Sequence, residues 1–196
     1  MKNIFLKLIM FIVLSANAQN LSLELRDPLN LQAGAYYKDT NNVFDNFVGT
    51  WLYTNGNTSF KIVLAKQPDV YVSNGGYYED LIIGEYQYIE NGVEKINTLS
   101  NIGLNLGRGH KIKGNNIHRD CYFMPVGDCT EGETRLVLGL KDITGKHFAT
   151  VVLKRRKING QHTLKAWVVF DYSGYDDPPP SPTLPWQQEY VMFKQP

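Results

Sequence analysis

The chain has 196 residues, with 20 Lys and Arg against 19 Asp and Glu, a formal charge of +1, and 43% hydrophobic residues. That length suits one domain with a substantial core. A balance so close to neutral excludes capture of nucleic acid or an anionic membrane through a global positive field.

Residues 1–18 read as a segment apart. Lys2 and Lys7 flank and interrupt the apolar stretch from Leu8 to Leu14, and Ser15-Ala16-Asn17-Ala18 follows with an Ala-x-Ala exit. A positive start, a short apolar middle and a small-residue exit are the three parts of a secretory signal peptide. The apolar run is too short to span a bilayer, which takes roughly 20 residues. Cleavage after Ala18 leaves 178 residues from Gln19, and removal of Lys2 and Lys7 takes the charge from +1 to −1. The sequence therefore predicts an exported protein, periplasmic or secreted, with no membrane span and no nucleic-acid partner.

Cys121 and Cys129 are the two cysteines. In an oxidising compartment, with Pro125 and Gly127 able to turn the chain between them, they are expected to form a disulfide. Two thiols without further Cys or His partners fall short of a four-ligand metal site, and His118, three residues from Cys121, is expected on the opposite face of a strand. No metal and no cofactor is expected.

After the signal, residues 19–48 form an N-terminal extension. Leu21-Ser22-Leu23-Glu24-Leu25 alternates as a short strand, ended by Asp27-Pro28, and Ala33 to Tyr37 fits more than one conformation. Asp39-Thr40-Asn41-Asn42 offers helix N-caps before Val43, Phe44, Phe47 and Val48, which stand at helical spacing. Gly49 ends that turn, and residues 49–196 read as strands.

Four hairpins are signalled. Asn55-Gly56-Asn57, Asn91-Gly92, Thr144-Gly145 and Asn159-Gly160 each join two apolar or alternating runs, and Asn-Gly suits the positive φ angles of a tight hairpin turn. With further candidates at Val70–Val72, Ile117–Met124 and Gln188–Phe193, about eight to ten strands result. Sequential hairpins make a meander, and a sheet that wide curls closed to remove its edges. The fold class expected is all-β, an antiparallel up-and-down barrel with a short N-terminal helical turn. Two longer connections stand out, glycine-rich Gly103 to Gly114 and proline-rich Ser173 to Pro185. Alternation places Leu136, Leu138 and Leu140, then Ala149, Val151 and Leu153, then Leu164, Ala166, Val168 and Phe170 on inner faces. Arg135, Lys141, Lys154, Lys165 and Asp171 fall on the opposite ones.

Phe47, Gly49 and Trp51, an aromatic helical turn running into Gly-x-Trp at the first barrel strand, resemble the lipocalin and wider calycin signature. The resemblance implies that Trp51 closes one end of the barrel, that Gly49 lets the backbone pass closely, and that an Arg from the last part of the barrel stacks over the indole. No Arg follows Arg156, so Lys194 or an earlier Arg would take that place. It also implies a small apolar molecule bound inside the barrel. Composition and signal together resemble small exported proteins of unknown function from Bacteroidota-type bacteria.

The residues proposed to line such an interior are Tyr86, Tyr88, Ala149, Ala166 and Phe170. For the tyrosines, core and cross-strand packing is the competing reading. Lys154-Arg155-Arg156-Lys157 reads as a solvated hairpin end, or as an anionic contact with Arg108, His110, Lys111 and Lys113. No nucleophile elbow, metal-ligand spacing or phosphate loop is present, since Gly107-Arg108-Gly109 precedes no helix. A non-enzymatic protein binding a small apolar or amphipathic ligand is expected. The alternative is a non-enzymatic surface or interaction module with a filled core, using Pro178–Pro182 and exposed tyrosines.

Overall fold

The computed structural model describes residues 21–25, 31–121, 128–142, 147–172, 182–185 and 187–196, with the backbone alone at 170–172. The segment read as a signal peptide, the Thr144-Gly145 turn, residues 173–181 of the proline-rich stretch and the Phe170 side chain lie outside the described residues.

Two short strands precede the barrel, β1 (Ser22–Glu24) and β2 (Tyr36–Lys38), paired in parallel. A 3-10 turn at Phe44–Asn46 leads into β3 (Gly49–Asn55), β4 (Thr58–Val72) and β5 (Tyr77–Glu90). Then come β6 (Val93–Asn97), β7 (Ile112–His118), β8 (Arg135–Lys141), β9 (His147–Ile158), β10 (Gln161–Tyr172) and β11 (Gln188–Lys194). The sheet order β5-β4-β3-β11-β10-β9-β8-β7 returns to β5, so eight antiparallel strands close a barrel. The seam is Leu52 opposite Phe193 and Trp51 opposite Lys194. The meander expected from the hairpins is the architecture found, with β1, β2 and β6 added outside it.

Turn chemistry follows the sequence. Asn91 and Gly92 take φ of 51° and 80°, and Asn159 and Gly160 take 51° and 78°, the positive pair that a twist-matched two-residue hairpin requires. The stretch around Val70 is the far end of long β4, which bends at a bulge between Gln67 and Val70 where Asp69 sits at φ 58°.

β5 organises the outer layer. One of its edges pairs with β4 throughout. The other is shared by three strands in turn: β2 at Tyr78 and Glu79, β7 at Ile82–Gly84, and β6 at Gln87–Glu90. Its residues are therefore buried on both faces for most of its length. Inside the barrel, Phe60, Ile62 and Leu64 of β4 meet Leu136, Leu138, Leu140, Val151, Leu153, Leu164, Val168 and Met192 in one cluster. Burial of that many apolar side chains, at roughly 1.5–3 kcal/mol each, is the main favourable term for the fold.

The loop after β7 is closed by a Cys121–Cys129 disulfide with Cα atoms 5.8 Å apart. Buried Arg135 donates to the Asp120 carbonyl, and Lys154 to Asp128, so these two loop residues lie against the outer face of β8 and β9. Arg135 and Lys154 are thus covered, although their strand faces read as solvent-facing in the sequence. Replacing both cysteines by serine is expected to lower stability by about 2.5 kcal/mol, the chain-entropy value for so short a loop. Urea unfolding of wild type and variant, each with and without reductant, measures it. Equal midpoints for all four samples would contradict it.

Candidate functional site

The signature residues act together at one end of the barrel. Asp39 accepts hydrogen bonds from the Val43 and Phe44 amides at 2.8 and 3.0 Å, which fixes the 3-10 turn. The turn drops Phe44 and Phe47 into the core, both fully buried. The Phe47 carbonyl accepts from Trp51 Nε1 at 2.8 Å. Lys194, opposite Trp51 across the seam, holds Nζ 5.4 Å from the centre of an indole ring. The cation expected over Trp51 is this lysine. Gly49 is required for two reasons: its φ is +125°, and an added Cβ would stand 3.0 Å from Lys194 Cε.

Asp39 belongs to a buried cluster. Its Oδ2 accepts from Lys66 at 3.2 Å, Asp80 Oδ2 accepts from the Asp39 amide at 3.1 Å, and the Tyr36 hydroxyl donates to Asp80 Oδ1 at 2.5 Å. Burial and the Asp80 carboxylate push the Tyr36 phenol up to about 12, so it stays a donor. This network ties β2, β4, β5 and the 3-10 turn into one closed end.

Of the residues proposed to line the interior, Tyr86, Tyr88, Ala149 and Ala166 are inside the barrel and packed, and the Phe170 side chain is outside the described residues. Tyr86 and Tyr88 are buried, each edge-on to Phe60 with centroids 6.0 and 6.4 Å apart, and Phe60 also meets Tyr190 at 4.8 Å. Ala149 and Ala166 are buried in the same cluster. The room left by Gly84 is taken by its neighbours, since an added Cβ would lie 2.6 Å from Leu64 Cδ2 and 3.1 Å from Ile112 Cβ. Tyr86, Tyr88, Ala149 and Ala166 line neither of the two cavities described below.

One of those cavities, about 380 Å³, opens on the outside of the barrel. It follows from the way β5 is shared: where its free edge passes from β2 to β7, the two strands part and leave a cleft. One wall is apolar, with Leu25, Leu31, Tyr37 and Tyr77, the two rings edge to face at 5.5 Å. The other is β7 and β8, with Lys113, Asn115, Asn116 and Val137. Between Lys113 and Asn116, β7 carries one residue more than β8, and Gly114 at φ +151° makes that bulge possible. An added Cβ at Gly114 would sit 3.3 Å from Leu138 Cα.

The bulge aims Asn115 at Glu79, whose Oε2 accepts from it at 2.8 Å. Glu79 Oε1 accepts from Arg108 Nε at 2.8 Å and also from Nη2. Arg108 is brought there by the segment between β6 and β7, pinned by buried His110. His110 Nδ1 stands 2.9 Å from Glu85 Oε1, and Nε2 is 3.0 Å from the Leu104 carbonyl. Glu79 is thus fully engaged by Arg108 and Asn115 and serves to hold the cleft's rim. Lys113 is not held so firmly, its Nζ lying a long 3.4 Å from the His110 carbonyl. Burial, together with the positive charges of Lys141, Arg108 and Lys111, holds its ammonium below the usual lysine range.

Residues 1–195 match the model of a family described as a family of unknown function, DUF6705. The chain belongs to DUF6705. No curated protein and no solved structure matches it. In this DUF6705 member the cleft sets an apolar wall opposite the partly buried Lys113 amine. Among the described residues no three His, Cys, Asp or Glu side chains converge as a metal-ligand set. Gly114-Asn115-Asn116 was the available sequence signal for the cleft, because a glycine inside a strand marks a bulge. The expected strand began only at Ile117, which left that signal within a connection.

Proposed function

We propose that this chain is an exported, lipocalin-like, non-enzymatic binding protein for a small amphipathic molecule with an anionic head group, seated in the cleft beside β5 rather than in the barrel interior. The observation that carries this reading is the cleft itself: about 380 Å³, with Leu25, Leu31, Tyr37 and Tyr77 opposite Lys113. A few convergent polar groups set against an apolar wall, in a concavity of that size, are what small-molecule sites share. An anion near Lys113 would relieve the repulsion it receives from Lys141, Arg108 and Lys111, which favours an acidic head over a neutral one. The lipocalin likeness draws support from the plug of Phe47, Gly49 and Trp51 under Lys194. Export draws support from the signal-like residues 1–18 and the Cys121–Cys129 pair. Among the described residues no helix is long and apolar enough to cross a membrane.

Calorimetric titration with dodecanoate and with dodecanol tests the reading. The expected result is saturable binding of the acid, weaker binding of the alcohol, and about tenfold loss for the acid in Lys113→Gln. Equal heats for acid and alcohol, or an unchanged affinity in Lys113→Gln, would refute the cleft as the site.

A further inference from the structure

At the plugged end of the barrel the inner face changes character. Pairing between β9 and β10 is unbroken from Ile158 opposite Gln161 to His147 opposite Tyr172. The parity that turns Ala149, Val151 and Leu153 inward therefore carries on to Arg155 and Lys157, and that of Leu164 and Ala166 to His162. On β11, Tyr190 and Met192 are followed by Lys194. Beyond Leu153, Leu164 and Met192, every inward position on these three strands is cationic or a histidine.

The neighbouring outward cations are neutralised and these are not drawn into the same pairs. Lys154 meets Asp128, Arg156 meets Glu133, and Lys165 meets both Asp128 and Glu189. Arg155, Lys157 and His162 of the inward set, with the paired Arg156 beside them, border a depression of about 490 Å³ against Asn46, Phe47 and Thr134. Its parts are oriented. Arg155 Nη1 donates to Asn46 Oδ1 at 3.1 Å, and Nη2 reaches His162 Nδ1 at 2.5 Å. A guanidinium can only donate, so His162 Nδ1 accepts and the ring's proton sits on Nε2. Lys157, His162 and Thr134 line the same depression. Desolvation and the charges of Arg155, Lys157 and Lys194 hold the imidazole below the usual histidine range.

We propose that this rim is an oxyanion site, taking a phosphate or sulfate group, free or carried on a small molecule, between Arg155, Lys157 and His162. It is separate from the cleft, on another part of the barrel wall, and built by the end of β9 and the start of β10 with the 3-10 turn as its inner edge. The groups facing His162 are Arg155 and Lys157 from β9, Lys194 from β11, and Asn46 from the 3-10 turn. Glu133, before β8, accepts from Arg156. An anion bound here offsets the repulsion on His162 and so raises its titration midpoint.

The test is a proton NMR titration of the four histidine C2–H signals, assigned with His162→Gln, in sodium sulfate and in sodium chloride of equal ionic strength. The expected result is a rise in the His162 midpoint with sulfate, saturating, while His110, His118 and His147 do not move. Arg155→Gln and exposed Lys157→Gln are each expected to weaken sulfate about tenfold. A sugar sulfate ester that binds more tightly than the free ion identifies a carried group; the reverse order identifies the ion. Identical His162 midpoints in sulfate and chloride, or unchanged binding in both variants, would overturn the proposal.

Discussion

Trp51→Ala is expected to be among the most destabilising single changes in this protein, lowering stability by about 4 kcal/mol. Its indole is fully buried under the 3-10 turn. It also supplies the Nε1 donor that holds the Phe47 carbonyl at 2.8 Å and the ring beneath Lys194. Alanine leaves a cavity, an unpaired carbonyl and a lysine with nothing to stack on. For a domain of this size the loss corresponds to a melting temperature about 10 °C lower. Trp51→Phe keeps most of the volume and loses the hydrogen bond, so about 1–2 kcal/mol is expected. Lys194→Ala removes only the cation over the ring, worth about 0.5–1 kcal/mol at an exposed site. Thermal unfolding of the three variants checks the order. A Trp51→Ala variant that melts within 2–3 °C of wild type, a shift of about 1 kcal/mol, would show that the plug does not close the barrel.

Asp39→Ala is expected to cost a similar amount, about 3–5 kcal/mol, for a different reason. The Asp39 carboxylate is buried, accepts from two amides of the 3-10 turn, and faces Lys66 at 3.2 Å. Its removal orphans the Val43 and Phe44 amides and leaves Lys66 with Asp80, 3.7 Å away, as its remaining carboxylate contact. Lys66→Met in the same background is expected to recover part of the loss, because the desolvated charge is removed with its partner. Urea unfolding of wild type, both single variants and the double variant gives the coupling. Strict additivity would mean that Asp39 acts on the turn alone.

Much of the architecture was legible in the sequence because it is written locally. Asn-Gly pairs mark hairpins, and period-two alternation at Leu136–Leu140, Ala149–Leu153 and Leu164–Val168 marks inner faces. The Phe47, Gly49 and Trp51 plug was legible for the same reason, whereas its cap stayed open between Lys194 and an earlier arginine until the pairing of β11 with β3 set Lys194 opposite Trp51. The cleft was harder to see because it depends on which strands share the free edge of β5. Pairing of Glu79 with Tyr37 and of Ile82 with Gly114 joins segments about forty and thirty residues apart, and no local period records that. Ala149 and Ala166, expected to line a ligand space, are buried in the core cluster, and Gly84 is another small residue on the inner face. At Gly84 the room is filled by Leu64 and Ile112, because small residues on one strand accommodate large ones on the next. The basic run at residues 154–157 divides by parity: Lys154 and Arg156 pair with carboxylates on the outer face, while Arg155 and Lys157 turn to the rim.

The most direct test of the central claim is a backbone amide NMR titration with dodecanoate. Shift changes are expected to concentrate at Tyr37, Tyr77, Lys113–Asn116 and Val137, with the amides of Tyr86, Tyr88, Ala149 and Ala166 undisturbed. Changes centred on those four inner residues, with the cleft silent, would place the ligand in the barrel interior and contradict it.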